Sequence, residues 1–447
     1  MFLTPIISQP HAGAVPKSIS RRGFLQSSAV AIGGLALANL LRQEALAAES
    51  GVSAAEKRSV ILLFQQGGPS HLETWDMKPN APIEYRGEFK GIPTSIPGYQ
   101  VGEYMPRLAK LCHKLAILRS VYHDSTEHSQ GVHTVLTGYK PTKNAPGNEF
   151  PSIGSIVSKE LGPRASGMPP YIATMTALDS GNAAYLGVEY NPFQTFGYPQ
   201  SSGFRVRNMT LPDGVDQSRL ARRQSMLGRF DDFRREADAS GALVGMDKFS
   251  RRAMELVASP KIRDAFDLNK EPQALRECYG ADNSNAQSML LARRLVEAGA
   301  RFVTVRMEGA WDSHKDNFTA HRSLLPPWDH SLATLIEDLD SRGMLDTTLL
   351  IIGGEFGRTP KINKDAGRDH WPMVYTTVLC GGGLKQGVVL GESDALAESP
   401  RVRPISVQDV LATVYHQLGI NTHRMFFNEA HRPVEILNYG SPIQEIL

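Results

Sequence analysis

Three features make this chain an α/β protein with a mostly parallel sheet sandwiched by helices. They are continuous apolar runs, amphipathic helical segments between them, and glycine-rich turns closing several of the runs. A strand buried on both faces reads as an unbroken Val/Ile/Leu stretch rather than as an alternation. Residues 59–64 are such a stretch and lead into Gln65-Gln66-Gly67-Gly68-Pro69. Residues 115–118 and 171–174 are shorter runs of the same kind, and 301–305, 347–352 and 374–379 are strong ones. Apolar residues at helical spacing occupy 105–114, 151–161, 287–298, 328–341 and 406–418.

One stretch breaks the alternation. Residues 216–258 are rich in Arg, Asp, Glu, Leu and Met at helical spacing, and predict a helical insertion that runs to about residue 280. Residues 181–212 carry Gly, Pro, Asn, Tyr and Phe and predict a long irregular loop of the kind that contacts substrate. One domain over residues 59–447 accommodates these elements. The formal net charge of +2 carries no nucleic-acid footprint and no polybasic membrane patch. Cys112, Cys278 and Cys380 are odd in number and far apart, so they form neither a disulfide framework nor a CxxC metal clip. A redox protein is disfavoured too, because the chain lacks a Gly-rich dinucleotide fingerprint.

The N-terminus carries an address. Ser20-Arg21-Arg22-Gly23-Phe24-Leu25 precedes an apolar run over 29–41 and then Ala45-Leu46-Ala47, a small-x-small cleavage site. This resembles a bacterial twin-arginine (Tat) signal over residues 1–47, followed by a polar tether over 48–58. It implies recognition by the Tat translocase, export in the folded state, and a periplasmic or secreted mature protein. An uncleaved membrane anchor is the alternative. The run is near the lower end of the ~17–25 residues a span needs, which favours cleavage and no membrane span thereafter.

Ligands of open α/β sheets sit at the carboxyl ends of the strands, where the polar clusters of this chain fall. Residues 59–64 are followed by Gly67-Gly68-Pro69-Ser70-His71 and Glu73-Thr74-Trp75-Asp76, and residues 115–118 by Glu127-His128-Ser129. Residues 301–305 are followed by Trp311-Asp312-Ser313-His314, and 347–352 by Gly354-Glu355-Phe356-Gly357-Arg358-Thr359-Pro360. Gly367-Arg368-Asp369-His370-Trp371 lies in a further loop. Histidine and carboxylate delivered to one rim by separate segments suit a metal site: carboxylates carry charge and neutral imidazoles fix geometry. Each residue also has an ordinary reading. Asp312 and His314 can hydrogen-bond within a loop, and Glu355 can pair with Arg358. His128 and Ser129 can sit at a capped helix start. Asp76 and His71 can be turn residues. His370 lies away from any apolar period, which favours a functional role.

These motifs, with Leu291-Ala292-Arg293-Arg294-Leu295-Val296-Glu297-Ala298-Gly299, resemble the domain-of-unknown-function family numbered 1501 over nearly the whole mature chain. That family is similar in turn to the alkaline phosphatase and sulfatase superfamily. The resemblance implies a parallel sheet carrying a divalent metal (Zn, Mn, Mg or Ca) and an anionic small-molecule or glycan substrate. It implies metal ligation by Asp312, His314, Glu355 and His370, with Asp76 or Ser129 completing the site. Departures from the superfamily pattern are visible: His128-Ser129-Gln130-Gly131 replaces the usual Cys/Ser-x-Pro-Ser-Arg, Gln66 replaces an Asp, and Glu355-Phe356 replaces Asp-His. A formylglycine mechanism is therefore disfavoured, which leaves Ser129 or a metal-activated water as nucleophile. His128 or His370 is expected to handle protons, and Arg358 or Arg368 to neutralise the anion. Two functions follow as expectations. One is an exported metal-dependent hydrolase of sulfate or phosphate esters; the other is a degraded relative that binds an anionic glycan or a protein partner without turnover.

Overall fold

In the computed structural model, residues 54–201 and 259–447 are described, with the isolated positions 204, 206 and 222. The expected signal over 1–47, most of the tether, and nearly all of 216–258 lie outside the described residues.

Nine strands form the central sheet. They are β1 (Ser59–Gln65), β2 (Leu115–Tyr122), β3 (Tyr171–Thr174), β4 (Phe193–Gln194), β5 (Phe302–Met307), β6 (Thr348–Gly353), β7 (Tyr375–Gly381), β8 (Val388–Leu390) and β9 (Ile405–Ser406). The order is β8-β2-β7-β6-β1-β5-β3-β4, with β9 also paired to β2. Every pairing is parallel except those of β7, which runs against β2 and β6. The expected mostly parallel sheet is observed, and all six expected strands belong to it.

β1 shows why the apolar runs are continuous. It is buried at all positions; Val60, Leu62 and Phe64 join one apolar layer, and Ile61 and Leu63 the other. One layer packs on α1 (Pro106–Leu111), and the opposite one on α2 (His128–Thr137) and α3 (Ile153–Leu161). Further along the chain come α4 (Pro260–Phe266), α5 (Gln273–Tyr279), α6 (Ser284–Glu297), α7 (Asn317–Ser341) and α8 (Val407–Gln417). α6 and α7 cover the α1 side, and α8 the α2 side. Each fully buried Leu or Ile in these layers contributes about 1.5–3 kcal/mol.

The differences from expectation have local causes. α7 begins at Asn317 rather than near Trp328, and carries Pro326 and Pro327 inside it. A proline pair removes two N–H donors and reads as a helix boundary. Here burial of Phe318, His321 and Leu325 holds the first half of the helix in place. The described part of the 181–212 loop contains two short turns, Ala184–Leu186 and Val188–Tyr190, and the edge strand β4. Cys112 and Cys380 are buried, and burial pushes both thiols up to about 12. Among the described residues, no helix is long and apolar enough to cross a membrane.

Candidate metal centre

Parallel strands end on the same side of a sheet, so the segments after β1, β2, β5 and β6 emerge at one rim. β7 runs the other way, which brings the segment before it to that rim as well. His128 opens α2 after β2, Asp312 and His314 follow β5, Glu355 follows β6, and His370 precedes β7. His370 and Trp371 pair antiparallel with Arg358 and Gly357, tying the last two segments together.

Two glycines allow the close approach. Gly67 has φ +117°, and a Cβ there would lie 2.7 Å from the backbone nitrogen of Asp312. A Cβ on Gly131, in the first turns of α2, would lie 3.0 Å from the Phe356 ring and 3.2 Å from Glu355 Cβ. Without side chains at these points, Asp312 and His128 reach the rim at short range.

Each of the three histidines has its Nδ1 against an acceptor. His128 Nδ1 is 2.7 Å from Glu355 Oε1, His314 Nδ1 is 2.6 Å from Asp369 Oδ1, and His370 Nδ1 is 2.8 Å from the Thr126 carbonyl. A neutral imidazole that donates from Nδ1 carries its lone pair on Nε2. All three Nε2 atoms converge on the Asp312 carboxylate: His128 at 3.2 Å from Oδ2, and His314 and His370 at 3.1 and 3.3 Å from Oδ1. His314 Nε2 and His370 Nε2 are 3.0 Å apart. His128, Asp312 and His370 each offer a ligand atom within 4.8 Å of the others.

The electrostatics follow from these contacts. Burial alone raises the Asp312 carboxyl, but the bond and charge of Arg358, with His128 and His314, hold it down at about 2. The hydrogen bond to Glu355 raises His128, while burial followed by the charges of Arg358 and His128 lowers His370. His314 holds Asp369 below the usual carboxylate range. The donor set fits a divalent cation. Neutral imidazole lone pairs otherwise face one another and a carboxylate, and the separations among His314 Nε2, His370 Nε2 and Asp312 Oδ1, 3.0–3.3 Å, approximate the ~3.3 Å edge of a tetrahedron with bonds of about 2.0–2.1 Å.

The remaining sequence candidates are placed differently. Glu355 is fully buried and accepts from the Gly67 N–H at 2.8 Å as well as facing His128 Nδ1, so it reaches the cluster only through the His128 ring. Its Oε2 has no hydrogen-bond partner among the described residues. Asp76 is not brought to the cluster: it is buried against Lys78, Arg119 and Ser393. Arg358 is fully buried and bonded to the Gly67, Gly68 and Arg368 carbonyls and to Asp312. Arg368 is fully buried on Glu73 and on the Thr359, Pro360 and Tyr85 carbonyls. Neither guanidinium is left over for an outside anion, in contrast to the expectation, because buried charge must be matched from within the fold. Ser129 makes no side-chain hydrogen bond among the described residues. His71 is fully buried, and desolvation lowers it to about 4.

A cleft of ≈ 440 Å³ opens beside the cluster, lined by Gln66, Gly67, His128, Arg306, Met307, Glu308, Gly309 and Asp312. Sequence reading did not single out Arg306, Glu308 or Asp369. Arg306 and Glu308 continue an apolar strand run and carry no motif. Asp369 stands beside His370 in a quoted motif, but its bond to His314 joins segments distant in sequence.

The chain belongs to the family described as "Protein of unknown function (DUF1501)", whose model matches residues 57–447. No curated protein matches it. Among solved structures it is similar to the lipoteichoic acid synthase LtaP from Listeria monocytogenes, at 10% identity over 88% of this chain and 77% of that one, TM-score 0.41. It is similar to the PsFucS1 sulfatase from Pseudoalteromonas sp., at 12% identity over 89% and 72%, TM-score 0.38. A third is the phosphonate monoester hydrolase SpPMH from Silicibacter pomeroyi, at 13% identity over 82% and 74%, TM-score 0.34.

Proposed function

We propose that this chain is a metal-dependent hydrolase of sulfate or phosphate esters that works after export. His128, Asp312, His314 and His370 would hold the divalent cation. One observation carries the reading: three imidazoles, each with Nδ1 on an acceptor, turn their Nε2 atoms onto a single carboxylate. Three imidazoles to one carboxylate favour zinc over magnesium, calcium or manganese, which prefer oxygen-rich shells. When bound, the cation would supply a Lewis acid for a sulfuryl or phosphoryl oxygen. The ester class itself rests on the resemblance of the sequence motifs to the alkaline phosphatase and sulfatase superfamily.

The other residues take supporting roles in this reading. Glu355, Asp369 and the Thr126 carbonyl orient the three rings and fix their tautomers. Arg358 is a positioning residue, joining the turn after β1 to Asp312 and to the segment before His370. Arg368 holds that segment on Glu73. Among the described residues no base is bonded to Ser129, which favours water as the attacking group. The same absence favours a second reading, in which the chain binds an anionic glycan or a protein partner without turnover. Metal analysis of untagged exported protein, with turnover of aryl phosphate and aryl sulfate, separates the two. Stoichiometric zinc and turnover abolished by H370A support the hydrolase. Full loading with no turnover supports binding, and protein persistently free of metal overturns the hydrolase.

A further inference from the structure

We propose that Arg306 binds the free oxygens of the anionic ester and sets the preference of the cleft for an anionic group. The proposal rests on the metal-dependent reading above and extends it to substrate recognition. Arg306 stands near the carboxyl end of β5, the strand that also leads to Asp312, and lines the same cleft as His128 and Asp312. Arg306, Arg358 and Arg368 differ in burial and in partners. Arg358 and Arg368 are fully buried and spend their donors on carbonyls and carboxylates of the fold. Arg306 is half-buried, and its single side-chain hydrogen bond among the described residues is a long one, 3.4 Å to Thr176 Oγ1. Glu308 lines the same cleft without forming an ion pair with it.

A guanidinium presents a planar fork of donors that matches two oxygens of a phosphate or sulfate. Here that fork is held by one long bond to Thr176 and borders a cleft shared with the cation-binding groups. A tetrahedral anion with one oxygen toward the centre can offer two others to Arg306. Compact sulfate or phosphate monoesters suit this arrangement, and neutral esters lose its contribution.

Calorimetric titration with inorganic phosphate tests the idea on zinc-loaded and zinc-free protein, alongside titration with zinc itself. R306A is expected to bind phosphate at least about tenfold more weakly while zinc affinity and thermal midpoint stay at wild-type values. R306K, which keeps the charge and loses the fork, falls between. Phosphate affinity of R306A equal to wild type overturns the proposal, as does zinc-loaded wild-type protein that binds no phosphate. Failure of the wild type to bind zinc defeats the metal reading instead, and the zinc-free comparison of R306A with wild type still decides the role of Arg306.

Discussion

Replacing Glu355 by Gln removes a charge from beneath the candidate metal centre with almost no change in volume. The wild-type carboxylate is fully buried, accepts from the Gly67 N–H at 2.8 Å and sits 2.7 Å from His128 Nδ1. In E355Q the amide oxygen retains both contacts, so the tautomer of His128 persists while the negative charge that strengthens its Nε2 as a donor is lost. Carboxylates behind a ligating histidine are worth about 10–100-fold in metal affinity, or ~1.4–2.7 kcal/mol. The new amide NH2 occupies the position of Oε2, which has no partner, and an orphaned buried donor costs about 1–3 kcal/mol of stability. Zinc titration of chelator-treated protein measures the first effect, and urea unfolding measures the second. Folded E355Q that binds zinc within twofold of wild type refutes the assignment of Glu355 as the group behind His128.

Other perturbations probe separate parts of the argument. H314A and H370A each remove one converging Nε2, and each should lower zinc affinity at least about tenfold by elemental analysis after dialysis; full occupancy in both variants excludes their ligation. R368A leaves Glu73 buried and unmatched, and is expected to destabilise by about 3–5 kcal/mol in urea. The double variant E73Q/R368M should recover much of that loss, and a double variant no better than R368A argues against the pairing. His71 is held by burial at about 4 against an ordinary 6.5, so it stays neutral in the fold while the unfolded chain takes up a proton. Its contribution is fully present above pH 6.5 and is lost as pH falls through about 4, on the order of 3 kcal/mol in all. Unfolding midpoints from pH 7 to 4 should show this decline, and H71N should show a shallower one; equal slopes would count against it.

Much of this architecture is legible in the order of residues. The run over 59–64 has no polar alternation, which demands apolar neighbours on both faces, and β1 is buried at every position. The run over 171–174 coincides with β3, and the expected helix over 406–418 with α8. Short edge strands were not legible. β4 and β9 have two residues each, too few for any period, and they form because the sheet offers unpaired edges. The first half of α7 was hidden by Pro326 and Pro327, whose local cost is outweighed by burial that no local window contains.

Composition and periodicity alone determined that this is a layered α/β chain and that histidines and carboxylates cluster after its strands. Which nitrogen of each imidazole faces inward was decided only in three dimensions. It depends on Glu355, Asp369 and the Thr126 carbonyl, residues brought to His128, His314 and His370 by strand order and by the one reversed strand. Likewise, Arg306, Arg358 and Arg368 are the same residue type in sequence. Burial and hydrogen bonding within the fold commit two of them and leave the third at the cleft, because partners distant along the chain meet only once the sheet has formed.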